Sequence, residues 1–302
     1  EYCCFYISDG FSNSIQEDGK TLPTLKFEEL LKVKSDEKAT GAYQKAVRLD
    51  KSLFGQPQFA VTGGSDGTIR VWDVDHLMSK RDVRPRLIIQ AHDSVVDEVG
   101  ISRDGCTSLS LGADGKVCFW DLKDGKNLTK LPNLPGFSDN YRVRTVQFTN
   151  LGSLNMVFVV AYNQKKRTTR SKSYLSLWAF NREKSACKLI LMKQACSESI
   201  STMAISECGN LTAIGTLSGS VGVYDTQELK CLYFARESHN IFVTAVEFLP
   251  NKVADFLHLE EDHGKRLTLP GIAAAYKAAV LSIGADQTVQ FHAVPYRPSP
   301  SC

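Results

Sequence analysis

Three aspartates and two histidines stand where acid–base chemistry would want them. Asp66, Asp114 and Asp286 each lie in a short polar turn, and His92 and His239 each precede an alternating apolar segment. A histidine held by an aspartate moves protons in general acid–base and nucleophilic catalysis. These positions recur along the chain, however, and a single active site would need one set. Recurrence suits a structural hydrogen-bond network repeated once per unit, in which Asp66, Asp114 and Asp286 join a strand hydroxyl and an indole. The segment HLEEDHGK, residues 258–265, gathers two histidines and three acids, but its spacing matches no zinc motif and it reads as a solvated loop. KKRTTRSK, residues 165–172, would attract phosphate, acidic lipid or nucleic acid, yet no aromatic residue falls within the run, and it reads as a hairpin tip. Gly63-Gly64 and Gly219-Ser220-Val221-Gly222 precede no helix, so neither can hold phosphate on a helix N-terminus. No catalytic residue and no metal ligand is assigned.

The elements that must position these groups are strands. GGSDGTIRVWD (Gly63 to Asp73) recurs as LGADGKVCFWD (Leu111 to Asp121), IGTLSGSVGVYD (Ile214 to Asp225) and SIGADQTVQFH (Ser282 to His292). SYLSLWAF, from Ser173, keeps the strand and loses the turn. The shared order places Trp72, Trp120, Trp178, Tyr224 and Phe291 at equivalent positions on third strands. Trp72 and Trp120 are 48 residues apart, close to the period of a four-stranded propeller blade. Alternating first strands follow the same period: VVDEVGIS at Val95, RVRTVQF at Arg142, SISTMAIS at Ser199 and FVTAVEFL at Phe242. The expected fold is all-β, a WD-repeat β-propeller with about five blades in this chain. Residues 1–8 read as a strand of a preceding incomplete blade, 9–40 as a polar insertion with one short helix at Phe27 to Val33, 41–294 as five blades, and 295–302 as a Pro-rich linker.

Composition narrows the function classes. A net charge of +3 over 302 residues creates no strong field for nucleic acid or membrane, and no helix suited to the major groove is expected. Nine cysteines, several of them in strands, fit a reducing compartment better than a disulfide framework. The apolar stretches are strand-length, far short of the roughly 18 residues of a membrane helix. The chain opens at Glu1 inside an apparent strand with no initiator Met, as a piece of a longer protein would.

One long string is more specific than blade motifs. ESISTMAISECGNLTAIGTLSGSVGVYDTQELKCLYFARESHNIFVTAVEFLP, residues 198–250, resembles the prolactin regulatory element-binding protein family, as do AVTGGSDGTIRVWDV at Ala60, AHDSVVDEVGISRDG at Ala91 and SYLSLW at Ser173. These are WD-repeat guanine-nucleotide exchange factors of the endoplasmic reticulum membrane. The resemblance implies a seven-bladed propeller on the cytosolic face and a membrane anchor beyond the last blade. It implies GDP release from the small GTPase that initiates coat protein complex II budding, in export to the Golgi. The family's exchange element is a potassium-stabilised loop in the first blade, which by this alignment would lie before Glu1. The expectation is therefore a fragment without the exchange loop, and without a cofactor of its own. GTPase contacts are expected from loops entering first strands, at His92, Asp93, Ser94, Glu237, His239 and Asn240. The alternatives are a WD-repeat scaffold without exchange activity, promoter DNA binding, against which the modest charge and the lack of a major-groove helix argue, and a propeller enzyme with an acidic central funnel.

Overall fold

The structure, a computed structural model, describes residues 2–7, 11–15, 21–25, 27–38, 40–50, 57–79, 84–151, 156–166, 171–249, 259–260, 266–267 and 276–296. For residues 2–25, 259–260 and 266–267 the backbone alone is described. The chain divides into two compact units, Glu1–Asp114 with Cys118–Asn127, and Gly115–Val117 with Leu128–Cys302.

The chain opens with β1 (Tyr2–Ile7), β2 (Phe11–Ile15), β3 (Thr21–Leu25) and β4 (Glu28–Lys34). β1 pairs antiparallel with β4, and β2 with β3. β4 corrects the helix expected over Phe27 to Val33. Leu31 and Val33 turn inward while Lys32 and Lys34 face solvent, a period of two rather than 3.6. Val33 packs with Ala60, Trp72 and Leu77, a cluster a helix of the same sequence would not complete.

Blade-like antiparallel sheets follow. β5 (Gln44–Leu49), β6 (Phe59–Gly64), β7 (Thr68–Asp73) and β8 (Leu87–Gln90) form the first, with helix α1 (Val74–Ser79) between the last two strands. β9 (Val96–Ile101), β10 (Thr107–Gly112), β11 (Val117–Asp121) and β12 (Asn127–Lys130) form the second. The third is β13 (Tyr141–Thr149), β14 (Met156–Gln164), β15 (Ser173–Asn181) and β16 (Ala186–Cys196). The fourth is β17 (Ile200–Ile205), β18 (Leu211–Thr216), β19 (Val221–Asp225) and β20 (Lys230–Ala235). The last described sheet has three strands, β21 (Val243–Phe248), then β24 (Ala278–Gly284) and β25 (Val289–Val294). Between them lies the short pair β22 (Leu259–Glu260) and β23 (Arg266–Leu267).

Middle strands of the first four sheets are buried along most of their length, and within each unit neighbouring sheets pack face to face. Val61, Ile69 and Val71 pack on Val96 and Val99 in one unit. In the other, Ala213, Val221 and Val223 pack on Val243, Val246 and Val280. Burying one such aliphatic side chain contributes about 1.5–3 kcal/mol. Glycine permits the close approach of strands: a Cβ on Gly63 would meet Val96 Cγ1 at 2.5 Å, and one on Gly215 would meet Val243 Cγ1 at 2.5 Å.

In the first, second, fourth and last sheets the turn before the third strand needs one left-handed residue. Gly67 (φ 75°), Gly115 (φ 79°) and Gly219 (φ 83°) supply it, and in the last sheet Gln287 takes φ 62° instead. A side chain in that region costs about 1–2 kcal/mol. Gln287→Gly is therefore expected to stabilise the protein by about 0.5–1 kcal/mol, less than the full strain because glycine also loosens the unfolded chain. A lower denaturant midpoint for the variant would contradict this.

Candidate functional site

The turns and the loops that precede first strands meet at one end of each sheet. In the second sheet Trp120 Nε1 donates to Ser110 Oγ at 2.9 Å, and His92 Nε2 lies 2.8 Å from the same oxygen. His92 Nδ1 faces Asp114 Oδ1 at 3.6 Å. Serine, histidine and aspartate thus stand in the order of a hydrolytic triad. They cannot act as one. Ser110 is fully buried and the His92 side chain is 1% exposed, so no substrate reaches the hydroxyl. The indole N–H also occupies one of the two lone pairs of the hydroxyl oxygen. The arrangement ties a loop to two strands.

The last sheet repeats the pattern. His239 Nε2 lies 2.7 Å from Ser282 Oγ, while Nδ1 faces Thr288 Oγ1 at 2.9 Å and Asp286 Oδ1 at 3.3 Å. Asp286 also accepts from Asn240 N at 2.9 Å. The Thr288 hydroxyl foremost, then these other donors, pull its carboxyl down to about 2. The residue facing Ser282 from the third strand is His292, at 2.8 Å, and not Phe291. His292 follows Ser282 by ten positions, as Trp120 follows Ser110 and Trp72 follows Thr62. Phe291 points outward, 53% exposed. Counting five residues from the left-handed turn position, held here by Gln287, rather than to the nearest aromatic ring, would have found His292.

The first sheet uses different chemistry. Trp72 Nε1 donates to Thr62 Oγ1 at 3.0 Å. Asp66 accepts from Thr68 N at 2.9 Å and pairs with the buried Arg70 at 2.7 Å. Arg70 also donates to Ser35 O at 2.7 Å. Where His92 and His239 stand over Gly112 and Gly284, Asp36 stands over Gly64. It is fully buried and accepts from Ser65 N and Ser65 Oγ at 2.5 and 2.8 Å. Burial, the largest influence, pushes its carboxyl up, but the bond from Lys38 N at 2.9 Å and then those from Ser65 outweigh it and hold the carboxyl below the usual range. Nothing in the repeat marks Asp36, which comes from a segment read as an insertion.

The third and fourth sheets substitute again. Trp178 Nε1 donates to Ser176 Oγ at 2.7 Å. Glu198 accepts from Thr216 Oγ1 at 2.6 Å and Ser220 Oγ at 3.2 Å. Asn163 Oδ1 accepts from Ser173 Oγ at 3.0 Å and Ile200 N at 2.9 Å. Tyr224 reaches Ala195 O with its hydroxyl.

Of the six residues expected to face a partner, two are internal. His92 and His239 are 5% and 2% exposed, and both ring nitrogens of each face groups inside the blades. Their neighbours Asp93, Glu237 and Asn240 are exposed, and Ser94 is half-buried with its Oγ accepting from Asp114 N at 3.2 Å. Each loop is anchored from beneath: His92 N donates to Gly67 O, and His239 N to Gly219 O, both at 3.0 Å.

Several other candidates lie partly or wholly beyond the described residues. The HLEEDHGK side chains, the centre of the basic run at 167–170 and the tail at 297–302 lie outside the described residues. At the foot of the basic run the structure brings together Phe137, Tyr141 and Tyr174, with Phe137 and Tyr141 stacked at 4.4 Å. Among the described residues no cluster of three or more His, Cys, Asp or Glu could hold a metal, and no helix is long and apolar enough to cross a membrane. Burial pushes the Cys187 thiol up to about 12 and Cys196 to about 11, so both stay protonated and unreactive. A cleft of about 300 Å³ is lined by Glu207, Cys208, Phe248 and Lys277, among others.

Sheets with buried tryptophan–hydroxyl bonds and glycine turns define a WD-repeat β-propeller protein. Residues 52–73 match the WD domain, G-beta repeat family. Sqt1 from Chaetomium thermophilum, solved with the N-terminus of ribosomal protein L10, superposes with a TM-score of 0.60 at 18% identity, over 94% of this chain and 65% of that one. The sequence is 31% identical over 247 residues to the guanine nucleotide-exchange factor SEC12 of Rattus norvegicus, covering 79% of this chain and 52% of the relative. It is 25% identical to SEC12-like protein 1 of Arabidopsis thaliana, over 63% of this chain and 43% of the relative. The chain belongs to the SEC12 family, and it spans about half the length of the relatives it matches.

Proposed function

We propose that the protein promotes GDP release from a small GTPase, the one that initiates coat protein complex II budding, at the cytosolic face of the endoplasmic reticulum membrane. The observation that carries this reading is the similarity to SEC12, which runs through 79% of the chain rather than through one repeat. An exchange factor makes no covalent bond. It binds the nucleotide-free GTPase more tightly than the loaded one and so lowers nucleotide affinity by the same coupling free energy. Such a task suits loops fixed on a stiff scaffold, because a loop that yields cannot displace a switch segment. In this chain Asp93, Ser94, Glu237 and Asn240 belong to such loops, with His92 and His239 as their buried anchors.

Electrostatic contacts of this kind act mainly on association. In the full-length protein, Asp93→Lys or Glu237→Lys is expected to slow release of a fluorescent GDP analogue at limiting exchange factor, with a larger effect on KM than on kcat. Wild-type rates across a range of GTPase concentrations would remove these residues from the contact surface. Failure of the full-length protein itself to accelerate release would favour the second reading, a scaffold that only joins proteins. That reading draws on the internal use of the His–Asp pairs, which leaves the described blades with a binding surface and no reacting group.

A further inference from the structure

We propose that the last described sheet is an acid-operated latch: the chain Tyr233–His292–Ser282–His239–Asp286 holds β25 in place, takes up one proton by reversing its hydrogen-bond direction, and releases β25 when a second arrives. The inference rests on this network alone and not on the exchange reading.

The hydrogens can be counted. His239 Nδ1 faces Thr288 Oγ1, and Thr288 donates its own hydrogen to Asp286 at 2.8 Å, so Nδ1 carries the proton. His239 Nε2 must then accept from Ser282 Oγ at 2.7 Å. With its hydrogen spent, Ser282 accepts from His292 Nε2 at 2.8 Å. His292 Nδ1 in turn accepts from the Tyr233 hydroxyl at 3.2 Å. With both rings neutral every member is satisfied, and the direction runs from Tyr233 to Asp286.

Add one proton at His239 Nε2. That ring becomes a cation facing the Asp286 carboxylate at 3.3 Å. Ser282 now accepts from His239 and donates to His292 Nε2. His292 moves its hydrogen to Nδ1 and donates to the Tyr233 oxygen. No hydrogen bond is lost; the direction has turned round. Only an amphoteric residue at 292 permits this, since an indole there would be a donor in both states. A second proton has no such outlet. Both Nε2 atoms would donate to Ser282 Oγ, whose own hydrogen would have no partner in the chain, and two buried cations would flank one hydroxyl. His292 is 4% exposed and sits on β25 itself, so the strain falls on that strand.

The titratable groups facing the two rings are Asp286 from the turn, Tyr233 from β20, and each ring to the other. Asp286, held near 2, stays charged between about pH 5 and 8. Burial, and then repulsion from His239, lower the His292 pKa below its ordinary value. The released ring binds a proton more readily than the held one, so stability is present above the ordinary histidine pKa of about 6.5 and is lost as pH falls below it.

Two measurements test the latch. Imidazole ¹⁵N spectra of the protein followed as acid is added should show His292 passing from the Nε2–H to the Nδ1–H tautomer before it becomes doubly protonated. Amide exchange over 289–294 should keep its protection through that step, then lose it with a slope approaching tenfold per pH unit, the limit for one proton taken up on opening. Residues 59–73, which contain no histidine and whose polar side-chain contacts include the Trp72–Thr62 bond and the Arg70–Asp66 pair, serve as the reference and should show no such loss. Tyr233→Phe leaves His292 Nδ1 without its partner in either direction and should lower the protection of 289–294 both above and below the transition. A His292 tautomer that never changes, or parallel loss of protection in 59–73 and 289–294, would overturn the proposal.

Discussion

Gly219→Ala is expected to destabilise the protein by about 2–5 kcal/mol, and Gly67→Ala by a similar amount. Two costs combine. The left-handed backbone is one, about 1–2 kcal/mol for any side chain. Contact is the other. A Cβ on Gly219 would stand 2.0 Å from His239 O, and one on Gly67 would stand 2.1 Å from His92 O. Backbone cannot swing aside as a side-chain tip can, so the loop must lift, at about 1–3 kcal/mol for an overpacked site. Lifting it also strains the bonds from His239 N to Gly219 O and from His92 N to Gly67 O. Gly115 supplies the control, with φ 79° and nothing within 4 Å of the added atom. Gly115→Ala should therefore cost only the backbone term. Urea midpoints of the three variants decide the matter. Equal losses at 115 and 219 would mean that conformation alone sets the cost and that the close approach contributes nothing.

How much of this was legible in the sequence depended on what each residue does. The blades were readable because alternation and turn glycines are local. Trp72 and Trp120 were readable because an indole at a fixed distance from an Asp-Gly turn has one common use. His292 was not, since Phe291 next to it matched the aromatic pattern, and only the distance to Ser282 separates them. Asp36 could not be found at all. It stands above Gly64 just beyond β4, whose pairing with β1 joins residues lying 21 to 32 positions apart, a contact that no local pattern encodes. Helical reading of residues 27–33 failed for the same reason, as the partner strand and not propensity chose the conformation. For the candidate contact loops, sequence gave their place before first strands. It did not distinguish His92 and His239, which turn inward, from Asp93 and Glu237, which turn out.

Trp72→Ala is expected to cost about 3–5 kcal/mol, the range for emptying a large aromatic site. The ring is 1% exposed and packs with Val33, Ala60 and Leu77, so its loss opens a cavity between β4 and the first sheet. Size accounts for most of this and the indole hydrogen bond for the rest. The two parts separate in a double-mutant cycle. Thr62→Val keeps the volume and leaves the buried indole N–H without its acceptor, at about 1–3 kcal/mol. Trp72→Phe keeps much of the ring and leaves the Thr62 hydroxyl, 1% exposed, without its donor. In the double variant neither polar group remains to be left unpaired, so the combined loss should fall short of the sum of the single losses by about 1 kcal/mol or more. Additive losses would show that the 3.0 Å bond carries no stability of its own and that the indole is held by packing alone.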